Sequence, residues 1–278
     1  MHTFETPGAT ALAVQTVAGR VTVSAEETTR TTVDLTPLNS AGEEAVAEAR
    51  VEQKGRTVVV HLPRLRGGLF RQGASVAITI TCPSGTSLDL KADSADIGAT
   101  GTFGDAVVTT GSGHIEVDTV TRSAKLKTGS GGVSAGHVGE ALVATTGSGN
   151  IEISQTSHHA LLTVGSGDIS IGELAGEAVT KTGSGDVEVG RLDGTLLTKT
   201  GSGSLTVRRA SSGKVTARGA SGSVDIGIED GTAAWLDVST VSGRISQELG
   251  EADAPGEDQH RVEITAHTVS GNLRVHRS

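Results

Sequence analysis

The chain has 278 residues, and its 23 basic and 32 acidic side chains give a formal net charge of −9 at pH 7. This balance argues against a nucleic-acid-binding protein, which would need a basic face. Three Phe, one Trp and no Tyr against 39 Gly exclude the aromatic platforms of sugar-binding and base-stacking sites, and they predict a thin fold with an aliphatic core.

The segment Met1–Arg20 has no basic region followed by an apolar one, so we expect no signal peptide and a cytoplasmic protein. No stretch approaches 18 consecutive apolar residues, so no membrane insertion is expected. The single cysteine, Cys82, excludes an intrachain disulfide and a Cys-based metal site. A lone thiol of this kind is predicted to be a small buried hydrophobe.

Residues 1–91 are predicted to form a β-rich capping region that covers the first edge of the repeats. Its short strands are predicted at Ala11–Val14, Arg20–Val23, Thr31–Leu35, Thr57–His61, Ser75–Thr81 and Ser87–Lys91. One helix is predicted over Ala41–Ala49, where Ser40 and Glu43 have the spacing of a capping box. Loops are predicted between Pro63 and Ala74 and from Glu248 to Asp258.

Residues 92–278 repeat a Thr-Gly-Ser-Gly phrase followed by alternating apolar residues. Copies begin every 18 residues, at Thr110, Thr128, Thr146, Val164, Thr182 and Thr200. A degraded copy begins at Ala92, and later copies begin at Gly219, Thr240 and Thr268. Each repeat holds two short strands, so we interpret it as one coil whose strands pair in parallel with those of the next coil, about 4.8 Å away. The predicted fold is all-β, a parallel β-solenoid (β-helix-like) with 18-residue coils.

Apolar and polar columns predict which side chains face inward. Residues five and seven after each start are apolar in the copies from Thr110 to Gly219, and the inward column includes Ile151, Ile169 and Val187. The residue between them alternates acid with hydroxyl, as in Glu152 and Ser170, and is predicted to face outward. A straight stack favours this alternation because it keeps like charges two coils apart. The Gly-Ser-Gly corner favours a tight turn, with the serine hydroxyls expected to form a ladder.

Several short sequence motifs in the chain resemble those of a known family. The opening Phe4-Glu5-Thr6-Pro7, the segment Ala18-Gly19-Arg20-Val21 and the serial Gly-Asp-Val-Glu-Val strands resemble the bacterial toast-rack, or "putative adhesin", family of β-strand-repeat proteins. The leaderless form is similar to copies common in actinobacteria, and the resemblance covers essentially the whole chain. It implies a β-helical stack and offers no catalytic residues.

The sequence does not favour an enzyme or a metal-binding protein. A polysaccharide lyase or hydrolase would need clustered carboxylates and aromatic platforms, whereas the acidic column here is regularly spaced. Calcium-binding β-rolls place Asp at another offset; Asp168 and Asp186 directly follow the second Gly of their motif. An ice-binding array would need Thr-x-Thr in every coil. We therefore expect no catalytic residue, no metal and no cofactor.

One column of the second strand is apolar, although its position in the strand predicts that its side chains face outward. Between inward positions it should face water, yet it reads Val143, Leu161, Val179 and Leu197, here called the aliphatic stripe. Three interpretations stay open: the strand bends and buries these residues, the N-terminal region covers them, or they form a partner or self-association face.

The neighbouring outward column carries positive charge, reading Lys127, Thr145, Thr163, Lys181, Lys199 and Arg218. Its last three members, here called the basic row, lie on consecutive coils. They are either a solvated face or a site for an acidic ligand or a neighbouring chain's acidic column.

The sequence thus predicts a non-enzymatic β-solenoid scaffold or protein-interaction module, with a protein partner or a second copy bound and no nucleic acid. The alternative is a cell-envelope or surface adhesin exported without a recognisable leader.

Overall fold

The computed structural model describes residues 1–8, 10–64, 73–249 and 261–278. These residues form 23 strands and one short helix, so the fold is all-β. They form two compact units, Met1–Glu140 and Ala141–Ser278. The division into a cap of residues 1–91 and coils of residues 92–278 stays a prediction. Most of the two predicted loops, Pro63–Ala74 and Glu248–Asp258, lies outside the described residues.

The first unit contains the helix and eleven strands. They are β1 (His2–Glu5), β2 (Ala11–Glu26), β3 (Arg30–Pro37), α1 (Ser40–Ala47), β4 (Arg50–Lys54), β5 (Thr57–His61), β6 (Ser75–Pro83), β7 (Ser87–Phe103), β8 (Ala106–Thr110), β9 (Ile115–Val120), β10 (Ala124–Thr128) and β11 (Val133–Val138).

The second unit contains twelve strands. They are β12 (Ala141–Thr146), β13 (Ile151–Thr156), β14 (His159–Ser166), β15 (Ile169–Leu174), β16 (Glu177–Ser184), β17 (Val187–Ser202), β18 (Leu205–Ser221), β19 (Val224–Ile228), β20 (Ala233–Ser242), β21 (Ile245–Glu248), β22 (Arg261–Ser270) and β23 (Leu273–Arg277).

Strand order at the start of the first unit differs from sequence order. Strand β2 pairs in parallel with β5 and β6 on one side and with β7 on the other. The outer sides of β5 and β6 are covered by the antiparallel strands β4 and β3, and β1 then pairs with β3. Antiparallel strands therefore protect this edge from pairing with another chain.

The short helix begins one residue earlier than predicted and is capped differently. Asn39 is the N-cap, with extended backbone (φ −153°), and its side-chain oxygen accepts from the Gly42 amide at 2.7 Å. Ser40 is thus the first helical residue, so the predicted capping box of Ser40 and Glu43 is wrong. Asn39 is favoured over Ser40 as the N-cap because its amide group also donates to the Gly73 carbonyl at 3.0 Å. This bond links the helix start to a distant segment.

Consecutive coils of the second unit pair in parallel in the predicted register. Ile151 lies beside Ile169, which lies beside Val187, and all three are buried. Between these inward columns, Glu152 pairs with Ser170 and faces outward. The step between coils becomes 19 residues where Ser211, an extra residue in β18, forms a bulge opposite Leu192 and Asp193. Within this unit the column prediction is confirmed.

The last coils of the second unit do not follow sequence order. Strand β18 pairs with β22 and β19 pairs with β23, while β20 and β21 pair with the far sides of β22 and β23. The coil formed by β22 and β23 is therefore inserted, and β20 and β21 form the outermost coil. The step of 28 residues between the copies at Thr240 and Thr268 leaves enough chain for this return.

The cores of the two units are aliphatic, as the composition predicts. Cys82 is fully buried among them, as expected for a small hydrophobe. Burial raises the pKa of the Cys82 thiol to about 11, although a hydrogen bond with Thr86 opposes the rise. The thiol is therefore protonated and unreactive near neutral pH.

Candidate interaction surface

The polar residue after each Gly-Ser-Gly corner has a structural role. The Asn150 side chain accepts from the Asp168 amide at 3.0 Å, Asp168 from the Asp186 amide at 2.8 Å, and Asp186 from the Ser204 amide at 2.7 Å. Each side chain thus binds the backbone of the next coil. Among the described residues, no group of three or more His, Cys, Asp or Glu side chains could hold a metal ion.

Replacing Asp186 with alanine is expected to lower the free energy of unfolding by about 1 kcal/mol, because the Ser204 amide loses its acceptor. Asp186→Asn is the matched control, since Asn150 and Asn272 accept the same bond in other coils. It should stay within about 0.5 kcal/mol of the wild type in urea titrations followed by circular dichroism. Equal losses in both variants would contradict a role for the acceptor oxygen.

The two other polar positions of the corner differ from each other. Within the part of the chain that the structure describes, the side chains of Ser184 and Ser202 are exposed and make no hydrogen bond, so the expected hydroxyl ladder is not formed there. The repeated threonine is buried instead. Thr128 Oγ1 donates to the Gly113 carbonyl at 3.0 Å, which joins its corner to the coil before it.

The aliphatic stripe lies on the outward side of four adjacent strands. Val143 pairs with Leu161, Leu161 with Val179, and Val179 with Leu197. The residues on either side of each member in the sequence are buried, whereas Leu161 is 37% exposed and the other three are half-buried. The strand therefore does not turn the stripe into the core of its unit.

The basic row lies directly beside the stripe on the same face. Lys181 pairs with Lys199, and Lys199 pairs with Arg218. All three side chains are exposed. The row continues into His267, because inserted strand β22 places this residue beside Arg218. If the coils followed sequence order, Ser239 would lie beside Arg218. The sequence does mark His267 as an equivalent residue, because it directly precedes the copy that begins at Thr268.

The basic row is electrostatically unbalanced. No carboxylate among the described residues forms an ion pair with Lys181, Lys199 or Arg218. Several other cations of this unit do have carboxylate partners, for example Arg208 with Glu188 at 2.5 Å and Lys214 with Glu263 at 2.6 Å. Like charges directly opposite each other on neighbouring strands are destabilising. An anionic group placed over the row would relieve this repulsion.

Fold and surface together define a β-strand-repeat protein. The chain belongs to the Toastrack DUF4097 family, whose model matches residues 9–175 and 173–278. No curated protein matches it significantly. Among the described residues, the short helix is neither long nor apolar enough to cross a membrane.

Solved structures with which the chain aligns are distant in sequence. One from Bacteroides fragilis, described as a "putative adhesin", is 12% identical with a TM-score of 0.43 and aligns over 98% of this chain and 95% of its own. One from Clostridium sporogenes, described as a "putative cell adhesion protein", is 10% identical with a TM-score of 0.22 over 98% and 94%. A "putative adhesin" from Parabacteroides distasonis is 9% identical with a TM-score of 0.31 over 99% and 95%.

Proposed function

We propose that this protein is a non-enzymatic interaction module, a parallel β-solenoid that binds an acidic, aliphatic segment of a partner protein. The observation that carries the proposal is the aliphatic stripe lying beside a basic row that pairs with no carboxylate of the described residues. The stripe supplies apolar area, and the row selects the sign of the partner's charge.

The spacing of the coils favours an α-helical partner lying across the strands. Neighbouring strands are about 4.8 Å apart, and one turn of a helix rises about 5.4 Å. A helix with aliphatic residues at every third or fourth position would therefore present one side chain to each coil of the stripe. Acidic residues beside them would lie over Lys181, Lys199 and Arg218, which are exposed on the adjacent column.

The proposal is tested with a synthetic amphipathic peptide that has Leu at helical spacing and Glu beside each Leu. The wild type is expected to bind it, with affinity falling as salt screens the exposed charges. The double variant Leu161→Asp, Val179→Asp should bind at least roughly tenfold more weakly, because it loses apolar contact and repels the glutamates. Isothermal titration calorimetry measures both affinities.

Two controls make the result specific. Gln155→Asp places a carboxylate beside Glu173 on a different strand column, so it should leave binding unchanged. A peptide with Lys for each Glu should bind the wild type less tightly than the acidic peptide does. If the double variant unfolds by circular dichroism, the stripe is core; if it stays folded and binds as the wild type does, the stripe is not the contact.

The location of the protein separates this function from that of an exported adhesin. We expect the chain in the cytosolic fraction of its native cell. Its recovery in the envelope fraction, with protease accessibility on intact cells, would favour the adhesin instead.

A further inference from the structure

The outermost coil of the second unit has an open edge. Strands β20 and β21 pair on one side with β22 and β23. Among the described residues, no strand pairs with their other side. The outer strands β5 and β6 of the first unit, in contrast, are covered by antiparallel β4 and β3. An uncovered edge presents a row of unpaired backbone groups that can pair with another chain.

The inward columns of the second unit end uncovered at this coil. Ile245 is 42% exposed, although its neighbour in the next coil inward, Leu273, is 2% exposed. Leu236 and Val238 are half-exposed, whereas Ile264, which pairs with Leu236, is fully buried. These side chains occupy core positions, and the part of the chain that the structure describes contains no further coil to bury them.

The outward face of β20 also carries two exposed apolar side chains. Trp235, the one tryptophan of the chain, is 59% exposed, and Val241 is 83% exposed. The valine stands in a corner that reads Thr-Val-Ser-Gly, where coils such as the one at Thr182 read Thr-Gly-Ser-Gly. Two large apolar side chains are thus exposed on the strand whose outer side has no partner strand among the described residues.

The direction of the backbone hydrogen bonds between coils identifies the backbone groups that point toward the open edge. In successive coils the amide of an inward residue donates to the next coil outward: Leu205 to Ser223, Val224 to Asn272, and Leu273 to Arg244, each at 2.9 Å. Continued into the outermost coil, this pattern points the backbone groups of Leu236 and Val238 toward the open edge.

We propose that a second copy of this chain docks on this edge, with the two β20 strands antiparallel about a twofold axis at Val238. This register keeps inward residues opposite inward residues. It places Trp235 opposite the partner's Val241 and Asp237 opposite the partner's Ser239. Aromatic and β-branched residues are favourable cross-strand pairs. The contact is self-complementary, as a twofold interface requires.

Other arrangements of two copies fit less well. Centring the axis on Asp237 would place two carboxylates directly opposite each other, which is destabilising. A head-to-tail contact would need a second open parallel edge, whereas β5 and β6 of the first unit are covered. On β21, Glu248 does not oppose association, because the Arg274 guanidinium donates to it at 3.0 Å.

The proposal is tested by size-exclusion chromatography with light scattering at micromolar concentrations. The wild type is expected to have twice the chain mass of 28.0 kDa. Trp235→Asp should have the single-chain mass, because the exposed tryptophan contributes to the interface and not to the core. Val238→Pro should also be monomeric, since proline removes an amide that faces the partner and edge strands tolerate it there. A monomeric wild type would overturn the proposal.

Disulfide cross-linking tests the register, and a control variant distinguishes the β20 edge from the aliphatic stripe. Asp237→Cys with Ser239→Cys places thiols across the proposed pair and should give an interchain disulfide under mild oxidation. Trp235→Cys with Ser239→Cys should not; preferential cross-linking of that variant would overturn the Val238 axis. The stripe variant Leu161→Asp, Val179→Asp should remain dimeric, and its conversion to a monomer would place the interface on the stripe instead.

Discussion

Replacing Leu162 with alanine is expected to lower the free energy of unfolding by about 2–5 kcal/mol. Leu162 points inward, is fully buried, and lies between Ala144 of one coil and Thr180 of the next. Both neighbours are smaller than leucine, and parallel pairing on both sides prevents the strands from collapsing into the cavity. Urea-induced unfolding followed by circular dichroism measures the loss.

The adjacent residue provides the matched control. Leu161 carries the same side chain on the outward face, where it is 37% exposed, so Leu161→Ala should cost less than about 1 kcal/mol. A large difference in stability loss between these two adjacent leucines would follow from the direction in which each side chain points. Similar losses at the two positions would show that the stripe is packed as core, which would contradict the proposed contact surface.

Gly185→Ala is expected to lower the free energy of unfolding by roughly 2–3 kcal/mol, because no space exists for a methyl group. A Cβ on Gly185 would lie 2.0 Å from the carbonyl oxygen of Gly167 and 2.6 Å from its carbon. Both atoms are backbone, so no side chain can rotate away. The corner could accept alanine only by separating two coils and weakening the hydrogen bonds between them.

Ser184→Ala is the control for this corner. The serine side chain is exposed, and its loss should change stability by less than about 0.5 kcal/mol. Thermal melts of the three proteins, with circular dichroism as the probe, measure the effect. A Gly185→Ala variant as stable as the serine variant would mean that neighbouring coils are not as closely stacked as the structure places them.

The register within the repeats can be derived from the amino-acid sequence. An 18-residue period with strict alternation leaves one phase in which columns such as Ile151, Ile169 and Val187 are all apolar. Parallel pairing then follows, because equal residues of successive coils must share a face. The outward phase of the aliphatic stripe and its neighbouring basic row follow from the same arithmetic.

Local capping and corner chemistry were only partly predictable. Both Asn39 and Ser40 are good N-cap residues, and a contact from the distant Gly73 carbonyl favours Asn39. Likewise, the corner repeats two polar positions. Only the backbone path shows that Asp186 turns toward the next coil while Ser184 faces solvent.

Tertiary structure alone decided the order of the coils at the ends. The repeat period identifies the residues that occupy equivalent positions in different coils. It carries no information about which of the equivalent strands are neighbours in the sheet. Each strand can pair on two sides, so β22 can lie between β18 and β20 without any change in its own pattern of buried residues. This insertion brings His267 beside Arg218 and leaves the coil that contains Trp235 outermost. The identity of the edge, and therefore of the exposed core, depends on pairing between distant segments that no local pattern records.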